Sequence, residues 1–294
     1  DSPSNDGNHT WGFDAFNNLG DAINYAPSGS TINVEPGTYN QSITIDKSLT
    51  ITGPGIDVEE RAYINGCDPA VSITAGNVTF SGFEITNECG DDATFSVGSS
   101  LENVNVSQNI IRDGYYGIYI DGSKTLIQNN EISSNTYGIY LTGNVSSTSI
   151  SNNNIHDNGE GISANEPTFD ELTISGNQIT NTNDGYGIYF NAINSSNLTI
   201  GGEDESEGNT ITGNIYEGLY ISSVDDDSTV TIQNNTIDEN NTSGSSSTGG
   251  IYLGPINQSI SSVNIYDNSN SANSGRGLYL NQVQDSSVNI SGNI

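Results

Sequence analysis

Six segments of this chain share one spelling, Gly-[Ile/Leu]-Tyr followed by an apolar residue. They begin at Gly117, Gly138, Gly187, Gly218, Gly250 and Gly277, and a degenerate copy reads Gly161-Ile162-Ser163-Ala164. A second unit of alternating aliphatics lies between them, as in Val104/Val106, Leu172/Ile174, Leu198/Ile200, Val230/Ile232, Val263/Ile265 and Val288/Ile290. A third reads Asn-x-Ile, at Asn109, Asn130, Asn153, Asn177, Asn209 and Asn235. The three follow in fixed order, and the set recurs every ~21 to ~33 residues, the period of a solenoid. Each unit is too short for a helix and alternates apolar with polar, as a strand with one buried face does. No repeat can bury its aliphatics alone. Stacking each strand in parallel on its equivalent in the next coil gives them a common core.

Composition narrows the partners. Apolar residues are 32% of the 294, low for a globular domain, but 15 Tyr and 7 Phe are too many for a disordered chain. Five Lys+Arg face 36 Asp+Glu, a net charge of -31. That balance excludes nucleic acid and disfavours an anionic membrane surface. No apolar run is long enough to span a bilayer. The chain starts at Asp1 without Met, as a processed secreted protein or a trimmed one does. Residues 1–12 read as a flexible polar arm and 13–294 as one domain. Within it, Phe16, Leu19, Ala22, Ile23 and Ala26 have helical spacing, which predicts a helix over 13–27 covering the solenoid mouth. Cys67 and Cys89 have no metal-ligand spacing; in an oxidising compartment they pair, otherwise they are two unrelated small residues.

The run DAINYAPSGSTINVEPGTYNQSITIDKSLTITGPG at 21–55, followed by the Asn-x-Ile and Gly-Ile-Tyr-Leu repeats, resembles the right-handed parallel β-helix superfamily. It looks like the pectate-lyase-like proteins, and most like the repeat-rich extracellular β-helix proteins of archaeal and bacterial surfaces. The resemblance implies an all-β right-handed parallel β-helix solenoid of about ten coils, each about 5 Å high, behind a short N-terminal capping α-helix. Ile64 and Ile85 then sit one coil apart, and Cys67 and Cys89, which follow them, fall about 5 Å from each other as a disulfide requires.

In such a stack, recurring outward residues become ladders. Asn130, Asn153, Asn177, Asn209 and Asn235 form one at a bend, and Asn135, Asn158, Asn214 and Asn240 another five residues on. Both are expected to face outward, shape turns and hydrogen-bond along the stack. Tyr119, Tyr140, Tyr189, Tyr220, Tyr252 and Tyr279 lie between inward aliphatics and therefore point out. Such a column is a contact surface for sugars or protein. Loops folded over the rings, or the ordinary suitability of Tyr for an exposed strand, would also explain it.

Catalytic signals are sparse. Lyases of this superfamily take a proton beside a uronate carboxylate with a basic group, usually with Ca²⁺, and this chain offers only Lys47, Arg61, Arg112, Lys124 and Arg276. The stacked Asp motifs of its hydrolases are missing. The best remaining constellation is Arg112-Asp113 with His156-Asp157, whose basic members stand two coils, roughly 10 Å, apart; a solvated surface row is the other reading. No cofactor is called for, Ca²⁺ excepted: Asp225, Asp226 and Asp227, or the run Glu203–Glu205, supply oxygen ligands for one. Glycosylation sequons occur about as often as chance allows; Asn144, Asn194, Asn241 and Asn257 are the ones expected on exposed loops. The insertions 201–208, 222–228 and 241–248 read as exposed loops. The sequence ends in mid-coil at Val288–Ile294, an edge open to axial stacking. The expected function is a non-catalytic extracellular surface protein, a filament or outer-layer subunit. Its partners would be copies of itself, or other cell-surface proteins and glycans. The alternative is a secreted polysaccharide lyase, hydrolase or glycan-binding module using the same tyrosine face. A phage or viral spike segment is a third reading.

Overall fold

A computed structural model of the chain describes residues 15–122, 124–165, 167–244, 248–256 and 261–294. The repeats form three parallel sheets wound along one axis. Sheet one has 11 strands from Ser30–Asn33 to Ser287–Ser291, sheet two has 9 from Gly37–Tyr39 to Thr236–Asp238, and sheet three has 10 from Ile43–Ile45 to Arg276–Leu280. Equivalent residues lie over one another: Ile118 on Ile139, Ile139 on Ile162, and Ile162 on Ile188. The chain is an all-β parallel solenoid whose coil number follows from the 10 strands of sheet three. Strand alternation decides what is inside. Ile118 and Ile120 are fully buried while Tyr119 between them is half-buried on the outer face. Each such isoleucine contributes roughly 1.5–3 kcal/mol of burial. Near one end the tube is filled by Phe80, Phe83 and Phe95, with ring centroids 4.5 and 5.4 Å from that of Phe80.

The helix α1 is shorter than its apolar spacing predicts, Leu19–Tyr25. It starts late because the Asn18 side chain accepts the Asp21 N–H at 3.0 Å and caps it, and it stops where Ala26 turns extended before Pro27. Leu19, Ala22 and Ile23 are its buried residues, and Leu19 and Ile23 join the solenoid core. Phe13, Asp14 and the arm 1–12 lie outside the described residues. Cys67 and Cys89 form a disulfide with a Cα–Cα distance of 5.3 Å, one coil apart as the pairing of Ile64 with Ile85 dictates. Closing a loop of 22 residues in the unfolded chain stabilises the fold by about 3 kcal/mol.

The asparagine ladders face inward, not outward. Asn109, Asn130, Asn153, Asn177, Asn209, Asn235 and Asn268 are at most 2% exposed. The Asn109 oxygen accepts from the Phe83 N–H at 3.1 Å, and from Asn130 on each side-chain oxygen accepts from both the backbone N–H and the side-chain amide of the preceding asparagine, at 2.8–3.2 Å. The left-handed bend sits one residue earlier, at Gln108, Asn129, Asn152 and Asn234, so the ladder residue itself turns into the tube. There it satisfies backbone groups at a corner where the sheet bonds stop. Asn135, Asn158, Asn214 and Asn240 do the same at the next corner and are also buried.

Two surface expectations change for the same reason, burial. Segment 222–228 contributes a strand, Val224–Asp225, paired with Ile193–Asn194, because Val224 and Ile193 are buried and anchor it. Asn241 is 0% exposed, with its amide directed to the Ser274 carbonyl, so it is closed to glycosylation; Asn144 and Asn194 are exposed, and Asn257 lies outside the described residues.

Candidate functional site

Sheet three carries the tyrosine column. Tyr119 and Tyr140 stack with centroids 6.0 Å apart, Tyr189 and Tyr220 at 5.7 Å, Tyr220 and Tyr252 at 4.4 Å, and Tyr252 and Tyr279 at 5.3 Å. A second file three residues upstream adds Tyr116 and Tyr137, stacked at 5.5 Å, and Tyr186, which packs at 5.2 Å on Tyr189. Among the described residues the rings are half-buried, and they form an aromatic strip along the axis. Arg276 closes one end, its guanidinium 5.1 Å over the Tyr279 ring.

Both files break in the same coil. Ser163 takes the place of the ring between Tyr140 and Tyr189, and Glu160 takes the place next to Tyr137. Ser163 is 2% exposed at the floor of the break, and its hydroxyl donates to the Glu160 carboxylate. The next coil is irregular too. Gly187 follows Asn177 by ten residues, whereas Gly161 follows Asn153 by eight. Thr182 replaces the second-ladder asparagine: its N–H donates to Asn214 Oδ1 at 3.2 Å and its hydroxyl to the Gly185 carbonyl at 2.7 Å. The longer corner is held by the Asp184 N–H donating to the Gly159 carbonyl, 3.2 Å away. A recess of about 500 Å³ opens there, lined by Thr136, Asp157, Gly159, Asn183 and Asp184 among others. The tyrosine files are thus interrupted at Glu160 and Ser163, and the coil that follows has a longer corner than the coil before it.

The electrostatics of the break follow from its aromatic walls. Burial raises the Glu160 carboxyl above the ordinary range, and the Asp184 charge adds to it, against the opposing bond from Ser163. Burial first, and Glu160 second, pushes the Tyr137 phenol up to about 12 and also raises Tyr189. Burial, with Glu217 next, raises Tyr186. These phenols stay protonated across the physiological range and can each donate a hydrogen bond.

The residues singled out from the sequence are placed differently. Arg112, Ser133 and His156 share one column of sheet two, so Arg112 and His156 are two coils apart as the spacing required. Each is already engaged: Arg112 with Glu84 at 2.6 Å and Asp113 at 2.7 Å, and His156 with Asp157 at 2.8 Å and Glu131 at 3.6 Å. Asp113 and Asp157 occupy left-handed bend positions and border the recess. Asp225 ends a short strand, Asp226 and Asp227 form a left-handed bend, and among the described residues no group of three or more His, Cys, Asp and Glu is placed to hold a metal. The signal for Glu160 and Ser163 was the degenerate Gly161-Ile162-Ser163-Ala164 copy itself.

Glu84, unnoticed in the sequence, clamps three coils. It is 6% exposed and binds Arg61 at 2.8 Å and Arg112 at 2.6 Å. Burial pulls its carboxyl up, but the bonds to Arg112 and Arg61 outweigh that and hold it below the ordinary value. Glu84→Gln is expected to cost about 2 kcal/mol at neutral pH, less than the roughly 3–5 kcal/mol of a fully buried pair because both arginines are partly exposed. A depressed pKa means stability that is present above the unfolded value and lost as pH falls through the folded one. The gap between wild type and variant should therefore be flat near neutrality and narrow below about pH 4.5, as measured by urea unfolding across pH. A gap that widens on acidification would remove Glu84 from this role.

Residues 39–202 match the family described as right handed beta helix region. No curated protein matches the chain. Among solved structures, the enzymatically active domain of tailspike protein 2 from bacteriophage CBA120 is 13% identical with a TM-score of 0.61, over 92% of this chain and 44% of that one. The Dettilon tailspike protein is 14% identical, TM-score 0.59, over 92% and 63%. The alginate lyase from Paenibacillus sp. str. FPU-7 is 16% identical, TM-score 0.56, over 94% and 91%. The chain spans less than two thirds of the tailspike chains, and likeness at this identity shows the fold alone. The comparison does correct the expected non-catalytic filament or outer-layer subunit: the similar chains are tailspikes and an enzyme, one of them an enzymatically active domain and one an alginate lyase. The interrupted aromatic strip likewise favours the alternative on that same face. With more than half its length matched to the family, the chain belongs to the right-handed β-helix proteins.

Proposed function

We propose that the protein is an extracellular carbohydrate-active protein that binds and processes a polysaccharide laid along the tyrosine strip. One observation carries this: two files of stacked, outward-facing tyrosines run along the axis and are interrupted in one coil by a half-buried carboxyl. Stacked phenol rings offer the flat apolar faces on which sugar rings pack, and their hydroxyls meet sugar hydroxyls. The similar alginate lyase, which acts on a polysaccharide, supports such a partner for this fold. No described helix is long and apolar enough to cross a membrane.

The test is affinity electrophoresis on a panel of polysaccharides, together with assays for reducing ends and for unsaturated products. At least one polysaccharide should retard the wild type. Tyr189→Ala and Tyr220→Ala should each weaken that retention about tenfold, the loss of one stacking contact. Absence of any retention or product, or retention indifferent to both rings, removes the proposal.

A further inference from the structure

We propose that the break in the tyrosine strip is a glycoside-hydrolysing centre, with Glu160 as proton donor, the Asp184 carboxylate as base, and an uncharged polysaccharide as substrate. The inference rests on the reading of the strip as a glycan surface and adds a reaction, two residues and a substrate charge.

Three features converge. First, the break lies within the strip, so a chain stacked on Tyr137 and Tyr140 on one side and Tyr186 and Tyr189 on the other must cross Glu160. The flanking tyrosine backbones are two strand spacings, about 10 Å, apart along the axis. Second, a recess of about 500 Å³, within the size of small-molecule sites, opens beside Gly159, next to Glu160 in the chain. Third, two carboxyls lie near each other in unlike surroundings: the Asp184 N–H donates to the carbonyl of Gly159, the neighbour of Glu160, at 3.2 Å, and Glu160 itself stands outside the recess lining. Glu160 is half-buried among rings and held by the Ser163 hydroxyl, while Asp184 is exposed on the recess wall and close enough for its charge to act on Glu160. A half-buried carboxyl beside an exposed one is the kind of unlike pair from which glycoside hydrolysis draws its acid and its base. In the step, Glu160 gives its proton to the glycosidic oxygen as the bond from that oxygen to the anomeric carbon breaks. A water oxygen bonds the anomeric carbon and its proton passes to Asp184. One water is consumed, two hydroxyl ends form, and solvent returns the proton from Asp184 to Glu160.

Charge sets the substrate. Asp157 and Asp184 line the recess, Asp113 borders it, and Glu217 acts on Tyr186 one coil away. Arg276 is the only Lys or Arg within the strands of sheet three, four coils or about 19 Å from Ser163. The nearest basic side chains, Arg112 and His156, are held by Glu84 with Asp113 and by Asp157 with Glu131. A polyuronate is repelled from such a face, and among the described residues these nearest basic groups, which lyase chemistry would need to take its proton, are already held by carboxylates.

The whole chain is tested on dextran, galactomannan, mixed-linkage β-glucan and xylan against alginate and polygalacturonate. Reducing ends without unsaturated ends are expected from one of the uncharged polymers. Glu160→Gln and Asp184→Asn should each lower kcat by about 10³-fold while retention in the affinity gel stays within threefold and the melting curve is unchanged. Glu171→Gln, on an exposed position of sheet one, should leave the rate intact. The pH profile of the wild type should lose its alkaline limb last, with Glu160 the group that sets it. Cleavage confined to the polyuronates, retention without cleavage, or a Glu160→Gln variant within fivefold of wild type each overturns the centre while leaving glycan binding standing. A wild type that neither binds nor cleaves any polymer overturns both.

Discussion

Replacing Asn177 with alanine is expected to cost the fold about 4 kcal/mol and to lower its melting temperature by about 10 °C. The Asn177 oxygen accepts from the Asn153 N–H at 2.9 Å and the Asn153 amide at 3.0 Å. Its own amide donates to the carbonyls of Ile150 and Ser175 at 2.8 and 3.1 Å and to Asn209 at 3.0 Å. Truncation strands a buried backbone N–H with no water to replace the partner, about 1–3 kcal/mol by itself, and the orphaned carbonyls and the small cavity add the rest. Coils touch only their neighbours, so the damage should stay local and split the transition into two. Asn289→Ala, on an exposed strand position, serves as the reference and should move stability by less than about 0.5 kcal/mol. Equal effects at the two sites would mean that the ladder carries no stability of its own.

That ladder shows how far the sequence could be read. Period and order of the three units were enough for the solenoid, its parallel pairing and the outward tyrosines, because alternation and stacking leave a strand few choices. The facing of the asparagines was not legible. Polarity argues for solvent, and only the coordinates show that a bend one residue earlier turns each amide toward unpaired carbonyls, where the next coil completes its bonds. Glu84 was hidden for another reason: its partners come from coils of unequal length, so no fixed spacing marks them. Glu160 and Ser163 were visible only as a faulty repeat, because a missing tyrosine does not by itself say which side chain fills the gap or what it meets. The two-residue extension before Gly187 was equally plain in the numbering, but its meaning depends on Asp184 reaching the coil below.

Gly187→Ala is expected to destabilise the protein by about 3 kcal/mol and to loosen the tyrosine strip on both sides of it. Exchange of glycine for alanine in a strand ordinarily helps, by about 0.4–1 kcal/mol, since the unfolded chain loses freedom. Here the sign reverses for a geometric reason. A methyl at position 187 would lie 2.6 Å from the Gly218 carbonyl oxygen, 2.6 Å from Ile211 Cγ2 and 2.9 Å from the Asn214 amide. Neither backbone nor ladder can retreat. The Gly218 carbonyl accepts the Ile188 N–H at 2.9 Å, and Asn214 is locked to Asn240. The same closeness recurs at Gly117, Gly138, Gly161, Gly218 and Gly250, which explains why glycine opens these copies of the repeat, whereas at Gly277 the nearest atoms would be 3.3 Å away. Tyr186 and Tyr189 flank position 187, so a shifted backbone there parts rings that now pack at 5.2 Å. Denaturant unfolding and tyrosine near-ultraviolet circular dichroism should therefore change together. A variant as stable as wild type, with its aromatic signal intact, would mean that the coils have slack at this corner and that the glycine is there for another cause.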